Sequence, residues 1–170
     1  MTATVNKSTI RIISKHNLDN FELDQACEIV CTNMERLGFE ISLKDKTSWK
    51  ENITKSLPDK NFYFYLIYFD GKICGFAELA ISNGKLYVAE IELSDTVKHS
   101  RILLRILQYL STAKEFLDFQ EVYFNINNKN EQSIRTFMHL GGIVTEKRER
   151  SSLYRLTREQ MQNYLKKFNK

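Results

Sequence analysis

Asn130-Glu131-Gln132-Ser133-Ile134-Arg135-Thr136-Phe137-Met138-His139-Leu140-Gly141-Gly142 follows an apolar run over 121–126. The run reads as a strand. An asparagine side chain accepts a hydrogen bond from the first unpaired amides of a helix, so Asn130 reads as an N-cap. A short helix over 131–140 follows, and the two glycines stop it. The order is strand, cap, helix, stop.

Working outward, 101–117 reads as a helix with Leu103, Ile106, Leu107, Leu110, Ala113 and Leu117 on one stripe. Three strands precede it. The first, 62–69, is rich in aromatic and β-branched residues, and Asp70-Gly71 after it is a strong hairpin signal. The second, 72–81, carries Gly75 as a candidate bulge. Asn83-Gly84 makes another hairpin turn into 85–93, where Tyr87, Ala89, Ile91 and Leu93 alternate against Val88, Glu90 and Glu92.

Further upstream stand a strand over 9–13, a helix over 21–37 ended by Gly38, and a short helix carrying Trp49, Ile53 and Leu57. Ser48 and Glu51 read as its capping box, and Pro58 closes it. Downstream, 143–148 and 152–156 read as strands. Thr157 and Gln160 box a last helix with Met161, Tyr164, Leu165 and Phe168 on one face.

The order β-α-α-β-β-β-α-β-α-β-β-α predicts an α/β (α+β) mixed sheet of about seven strands, an antiparallel meander joined to a parallel βαβ unit with helices on its faces. The single crossover, 93–121, is the natural ligand point, because ligands bind beyond the carboxyl ends of such strands.

Composition narrows the function classes. A chain of 170 residues fits a single domain over 1–170. Hydrophobic residues at 42% and charged residues at 27% are globular values, which excludes a disordered chain. The net charge of +4 is too small to argue for nucleic acid without a basic stripe, and it suits an anionic ligand equally well. Cys27, Cys31 and Cys74 cannot all pair within the chain, and no metal partners stand near them in sequence. They read as buried reduced thiols of a reducing compartment. No charged-then-apolar leader and no run of about 18 apolar residues is read, so the expectation is a cytoplasmic protein with no membrane span.

The 130–142 stretch resembles the second half of the acetyl-CoA-binding core of the GNAT (GCN5-related) N-acetyltransferases, roughly N-x-x-[AS]-x-x-x-Y-x-x-x-G-F. The resemblance covers about 62–156 and implies a GNAT-like acyl-CoA N-acyltransferase fold. It implies acetyl-CoA as co-substrate and a primary amine, of a small molecule or a protein, as acceptor. The helices at 21–56 then take the place of the substrate lid. The family's phosphate loop, [QR]-x-x-G-x-[GA], falls on 98–103. Lys98 takes the Gln/Arg position, Arg101 the first glycine and Leu103 the second. A side chain at a close-approach glycine blocks a ligand or demands another loop path. Lys98, His99 and Arg101 are basic and offset this by contacting phosphates, or are simply solvated. Ser100 and Ile102 complete the expected loop.

By the same resemblance, backbone groups of Ile91, Glu92 and Leu93 pair with the pantetheine arm. Asn130 contacts the coenzyme arm as well as capping its helix. The family's acid, a tyrosine, falls on Phe137, which has no hydroxyl, and one family base position falls on Asn125. Another branch places a glutamate on the strand before the phosphate loop, where Glu90 and Glu92 stand. Glu90 is the better candidate base, its alternative being a solvated strand glutamate. Tyr154 is a candidate substitute acid, its alternative a core tyrosine. No metal is expected.

Two other readings stay open. One is a GNAT-fold module without catalysis that binds a ligand or partner. The other is a nucleic-acid module built on the basic Lys147-Arg148-Glu149-Arg150 turn, more simply read as a solvated hairpin. A homodimer is left open.

Overall fold

Two tight turns organise the meander. Asp70 (φ 49°) with Gly71 (φ 81°), and Asn83 (φ 50°) with Gly84 (φ 69°), are left-handed pairs, the backbone a two-residue hairpin needs to match strand twist. They join β2 (Phe62–Phe69), β3 (Lys72–Ser82) and β4 (Lys85–Leu93). The computed structural model describes residues 10–97 and 101–167.

The other strands are β1 (Ile10–Lys15), β5 (Glu121–Asn127), β6 (Ile143–Lys147) and β7 (Ser151–Thr157). The seven form one mixed sheet in the order β1-β2-β3-β4-β5-β7-β6, in which only β4 and β5 run parallel. This is the mixed sheet that the element order predicts.

Helices cover both faces. α1 (Asn20–Arg36) and α2 (Leu43–Ser56) pack on one face through Ala26, Cys27, Val30, Cys31 and Ile53 against Phe64, Leu66 and Phe76. α3 (Ile102–Thr112), α4 (Glu131–His139) and α5 (Arg158–Lys166) cover the other, where Leu107, Phe137 and Met161 join Val88, Phe124 and Leu156. Among the described residues no helix is long and apolar enough to cross a membrane.

Caps follow the sequence, with one correction. Thr157 and Gln160 box the start of α5 and Gly38 (φ 83°) ends α1 as expected, while Asp19 and Glu22, a pair the sequence reading did not single out, box the start of α1. The box of α2 is Ser42 with Asp45, not Ser48 with Glu51. The Ser42 hydroxyl accepts from the Asp45 amide and the Asp45 carboxylate accepts from the Ser42 amide, so the helix starts earlier and Ser48 lies inside it.

The helix expected over 101–117 also differs. It stops at Thr112, and a 3₁₀ turn spans Lys114–Phe116. The buried Arg158 guanidinium donates to the carbonyls of Ser111, Phe116 and Phe119. Of these, only the Ser111 carbonyl would have been paired inside a helix running to 117; the guanidinium satisfies it in place of the missing turn. Leu117, expected on the stripe, is left exposed.

A larger correction concerns β4. Leu79 faces Val88, but Glu78 faces Glu90, so Ala89 is an extra residue that bulges from the ladder. The strict alternation expected over 85–93 therefore breaks. Leu86 and Val88 share the α3 face with Ile91 and Leu93, while Glu90 and Glu92 turn to the α1 face opposite Glu78 and Phe76.

Candidate active site

The bulge ends the pairing of β4 with β5. The parallel ladder runs only over Leu86, Tyr87 and Val88, whereas pairing with β3 continues to Leu93. The two parallel strands part at their carboxyl ends.

Gly75 lets the far end of β4 close onto β3. A Cβ there would lie 2.4 Å from the Glu92 carbonyl oxygen and 2.6 Å from a Leu93 methyl. The bulge expected at Gly75 falls one residue earlier, because Gly75 faces Ile67 and Ile73 faces Tyr68, which leaves Cys74 unpaired in the ladder.

A cavity of about 520 Å³ opens in the gap. One wall is Ile91, Glu92 and Leu93 of β4, and the facing wall is Asn130, Ser133, Thr136 and Phe137 of α4. Leu103 of α3 and the C-terminal turn of α1 complete it.

Each wall is held by its own local chemistry. Asn130 Oδ1 accepts from the Ser133 amide at 3.0 Å, so the cap reading holds. Asn33 Nδ2 donates to Glu92 Oε2 (2.5 Å) and to the Leu93 carbonyl (3.1 Å), tying α1 to β4. Arg36 pairs with Asp95 just beyond β4. Lys129 Nζ sits 4.5 Å above the Phe39 ring and links the loops after β5 and α1.

The remaining expected residues divide. Lys98, His99 and Ser100 lie outside the described residues. Arg101 is an exposed N-cap that makes no side-chain cap, and Ile102 is fully buried, so its side chain faces core rather than ligand. Leu103 stands in the cavity wall where the family motif has a glycine. Phe137 packs on Phe124, ring centroids 4.5 Å apart.

Tyr154 does not join the cavity wall. It is a core residue opposite Phe124 and Val144, on the sheet face away from Glu90. Its place in the β7 alternation buries the ring with Leu156, so the structure does not bring the two expected catalytic residues together. Asn125 is exposed.

Glu90 is not part of the cavity wall; it precedes Ile91 on β4 and turns to the α1–α2 face. Its Oε2 is shielded from solvent and has no hydrogen-bond partner among the described residues. Burial pushes its carboxyl above the ordinary range, and a hydrogen bond from Trp49 of α2 opposes this. Glu78, directly across the ladder, is pushed up to about 7 by burial and then by the Glu90 charge.

The cysteines are free and buried. Burial, then the Cys27 neighbour, raises the Cys31 thiol to about 11, and burial does the same for Cys74. Among the described residues no group of three or more His, Cys, Asp or Glu side chains could hold a metal ion.

Reading the sequence missed Glu78, Trp49 and Asn33. Glu78 had a signal, a carboxylate inside the apolar run Phe76-Ala77-Glu78-Leu79-Ala80. Asn33 had none, since its contact spans about sixty residues of chain.

No family model matches the chain, and no curated protein matches it in sequence. Solved structures do match in fold. The PaiA N-acetyltransferase of Thermoplasma acidophilum, in complex with coenzyme A, superposes with a TM-score of 0.70 at 17% identity, over 88% of this chain and 99% of that one. A GNAT-family acetyltransferase of Staphylococcus aureus gives 0.70 at 14% identity, over 88% and 99%. The spermidine N-acetyltransferase of Vibrio cholerae, with CoA and spermine, gives 0.66 at 14% identity, over 91% and 98%.

Proposed function

We propose that this chain, which has the GNAT fold, is an N-acetyltransferase moving the acetyl group of acetyl-CoA to an amine of a small molecule or protein. The observation that carries the reading is the parting of β4 and β5 over a cavity walled by Ile91, Glu92, Leu93, Asn130 and Phe137. An extended chain laid along the outer end of β4 would meet strand-like backbone groups there, the geometry of strand addition. The first turn of α3, whose N-cap Arg101 lends no side-chain cap, suits the pyrophosphate. Lys98, His99, Ser100 and Arg101 would supply the adjoining polar contacts. Ile102 and Leu103 would contribute backbone only.

The acceptor would enter from the α1–α2 side, where Glu90 is the base. An ammonium N–H bond breaks and its proton passes to the Glu90 carboxylate. The freed lone pair forms the C–N bond to the thioester carbonyl carbon. The C–S bond then breaks with its electrons going to sulfur, and a second proton from the attacking nitrogen goes to the thiolate. Phe137 donates nothing, and Tyr154 is buried on the other face. Positioning of amine and thioester carries the rate, with general acid–base help typically of about 10²–10⁴-fold. The spermine in the Vibrio neighbour supports a cationic amine as acceptor. Three reduced thiols support a reducing, cytoplasmic setting.

Calorimetric titration with acetyl-CoA tests the reading, with desulfo-CoA and ATP as controls. Micromolar binding that needs the whole coenzyme is expected, followed by release of free thiol in an amine screen and its loss in Glu90→Gln. Absence of heat up to millimolar coenzyme would sink it. Two observations favour a second reading, a GNAT-fold module without catalysis: Leu103 stands in the cavity wall, and Phe137 lacks a hydroxyl. That reading predicts coenzyme binding without turnover for any amine.

A further inference from the structure

Like charges directly opposite on neighbouring strands destabilise a sheet, and Glu78 and Glu90 are such a pair. They stand on the α1–α2 face among Phe64, Phe76 and Trp49, where water screens little. Direct cross-strand partners have Cβ atoms about 4.5–5.5 Å apart, so two ionised carboxylates there would repel strongly.

Among the described residues no cation acts on either carboxyl. From α2, Trp49 donates a neutral N–H to Glu90. From α1, the nearby Cys31 thiol is held neutral, and Asn33 is neutral and bonded to Glu92. β2 contributes Phe64 and Leu66. On β4 the next residue of this face is Glu92, a further anion. The shielded Oε2 of Glu90 is left with an unused acceptor site. The arrangement favours one proton on the pair over two negative charges.

We propose that Glu78 is a positioning residue for the base: it shares a single proton with Glu90, and the pair accepts the proton of the incoming ammonium as one unit. This rests on the acetyltransferase reading and adds a residue to it. Before reaction the pair holds one proton and one negative charge. The ammonium N–H bond breaks, its proton joins the ionised carboxylate, and the pair becomes neutral as the amine nitrogen becomes nucleophilic. The pair later returns that proton to solvent. A single negative charge shared by two carboxyls also marks the pocket for a cationic amine rather than a neutral hydroxyl.

Carboxyl-carbon NMR of protein carrying [δ-¹³C]glutamate reads the pair without any need for turnover. In the wild type, one of the two carboxyls should titrate near neutral pH and in step with the other. In Glu78→Gln the remaining Glu90 signal should titrate lower by about one pH unit, because a like charge is gone. Glu78→Asp, which keeps the carboxyl, should restore the coupled curve. In parallel, the ascending limb of the kcat/KM profile for amine acetylation should move acidward by the same amount in Glu78→Gln, while Glu90→Gln loses turnover.

Two carboxyls that titrate independently at ordinary values overturn the proposal even if the enzyme acetylates amines. So does an unmoved limb in Glu78→Gln. Coupled carboxyls in a protein that turns over no amine remove the base role by removing the acetyltransferase reading, and the two failures are thereby told apart.

Discussion

The two faces of the sheet are built to different ends. The α3–α5 face is a continuous apolar core in which Leu107, Val122, Phe124 and Leu156 are shut from solvent. The α1–α2 face begins the same way with Phe64, Leu66 and Phe76, then carries Glu78, Glu90 and Glu92 along its edge. Burial of apolar area stabilises the first. On the second, burial disfavours the charged form of the Glu78 and Glu90 carboxyls. The contrast teaches that stability and chemistry are divided between faces of one sheet, with β4 contributing to both.

The sharpest way to break this contrast is to replace the base. Glu90→Gln should lower kcat/KM for acetyl transfer by about 10²–10⁴-fold, measured by thiol release. Its thermal stability at neutral pH should equal or exceed that of the wild type, since a buried carboxylate is gone. A loss of stability with unchanged turnover would make Glu90 structural.

The opposite face should answer in the opposite way. Leu107→Ala should cost about 2–5 kcal/mol in urea unfolding, the usual price of a cavity in a packed core. It should leave acetyl-CoA affinity little changed in the fraction that remains folded.

The acid pair should also mark stability against pH. Glu78 titrates at about 7 in the fold and near 4.5 in the unfolded chain. Between those values the native state holds more protons than the unfolded one. Stability therefore falls as pH rises from about 4.5 through about 7, and is flat in this group beyond either end. Urea unfolding across pH should show the fall, and Glu78→Gln should flatten it.

Smaller effects sharpen the role of β4. Gly75→Ala forces the added methyl against the Glu92 carbonyl and Leu93. About 1–3 kcal/mol of destabilisation is expected, as for other overpacked sites, with weaker coenzyme binding in calorimetry because the cavity wall shifts. Asn130→Ala should cost about 1 kcal/mol through the lost cap. A loss of affinity beyond that of a destabilised control would add a direct contact with the coenzyme arm.

Much of this was legible in the chain. The Asp70-Gly71 and Asn83-Gly84 turns, the Asn130 cap, the Gly38 stop and the element order are local signals. Each rests on a backbone preference that a few residues express by themselves. Such signals placed Ile91, Glu92, Leu93 and Asn130 at the ends of the right elements, and those residues do wall the cavity.

The acid pair shows where local reading ends. The Asn83-Gly84 turn sets Ser82 opposite Lys85, and an unbroken ladder from there would put Glu78 opposite Ala89 and Glu90 opposite Ala77. Glu78 and Glu90 would then lie on different faces. The bulge at Ala89 adds one residue and reverses the outer half of the strand, so the two meet. Nothing in Val88-Ala89-Glu90 by itself demands a bulge. It is decided by packing, because Leu86 and Val88 must share the α3 core with Ile91 and Leu93 while β4 leaves β5. The elements, their turns and their order could be read from the chain alone, because those follow from short-range backbone chemistry. The tertiary structure alone decided which carboxyl faces which, because register past a bulge depends on contacts between residues far apart in the chain.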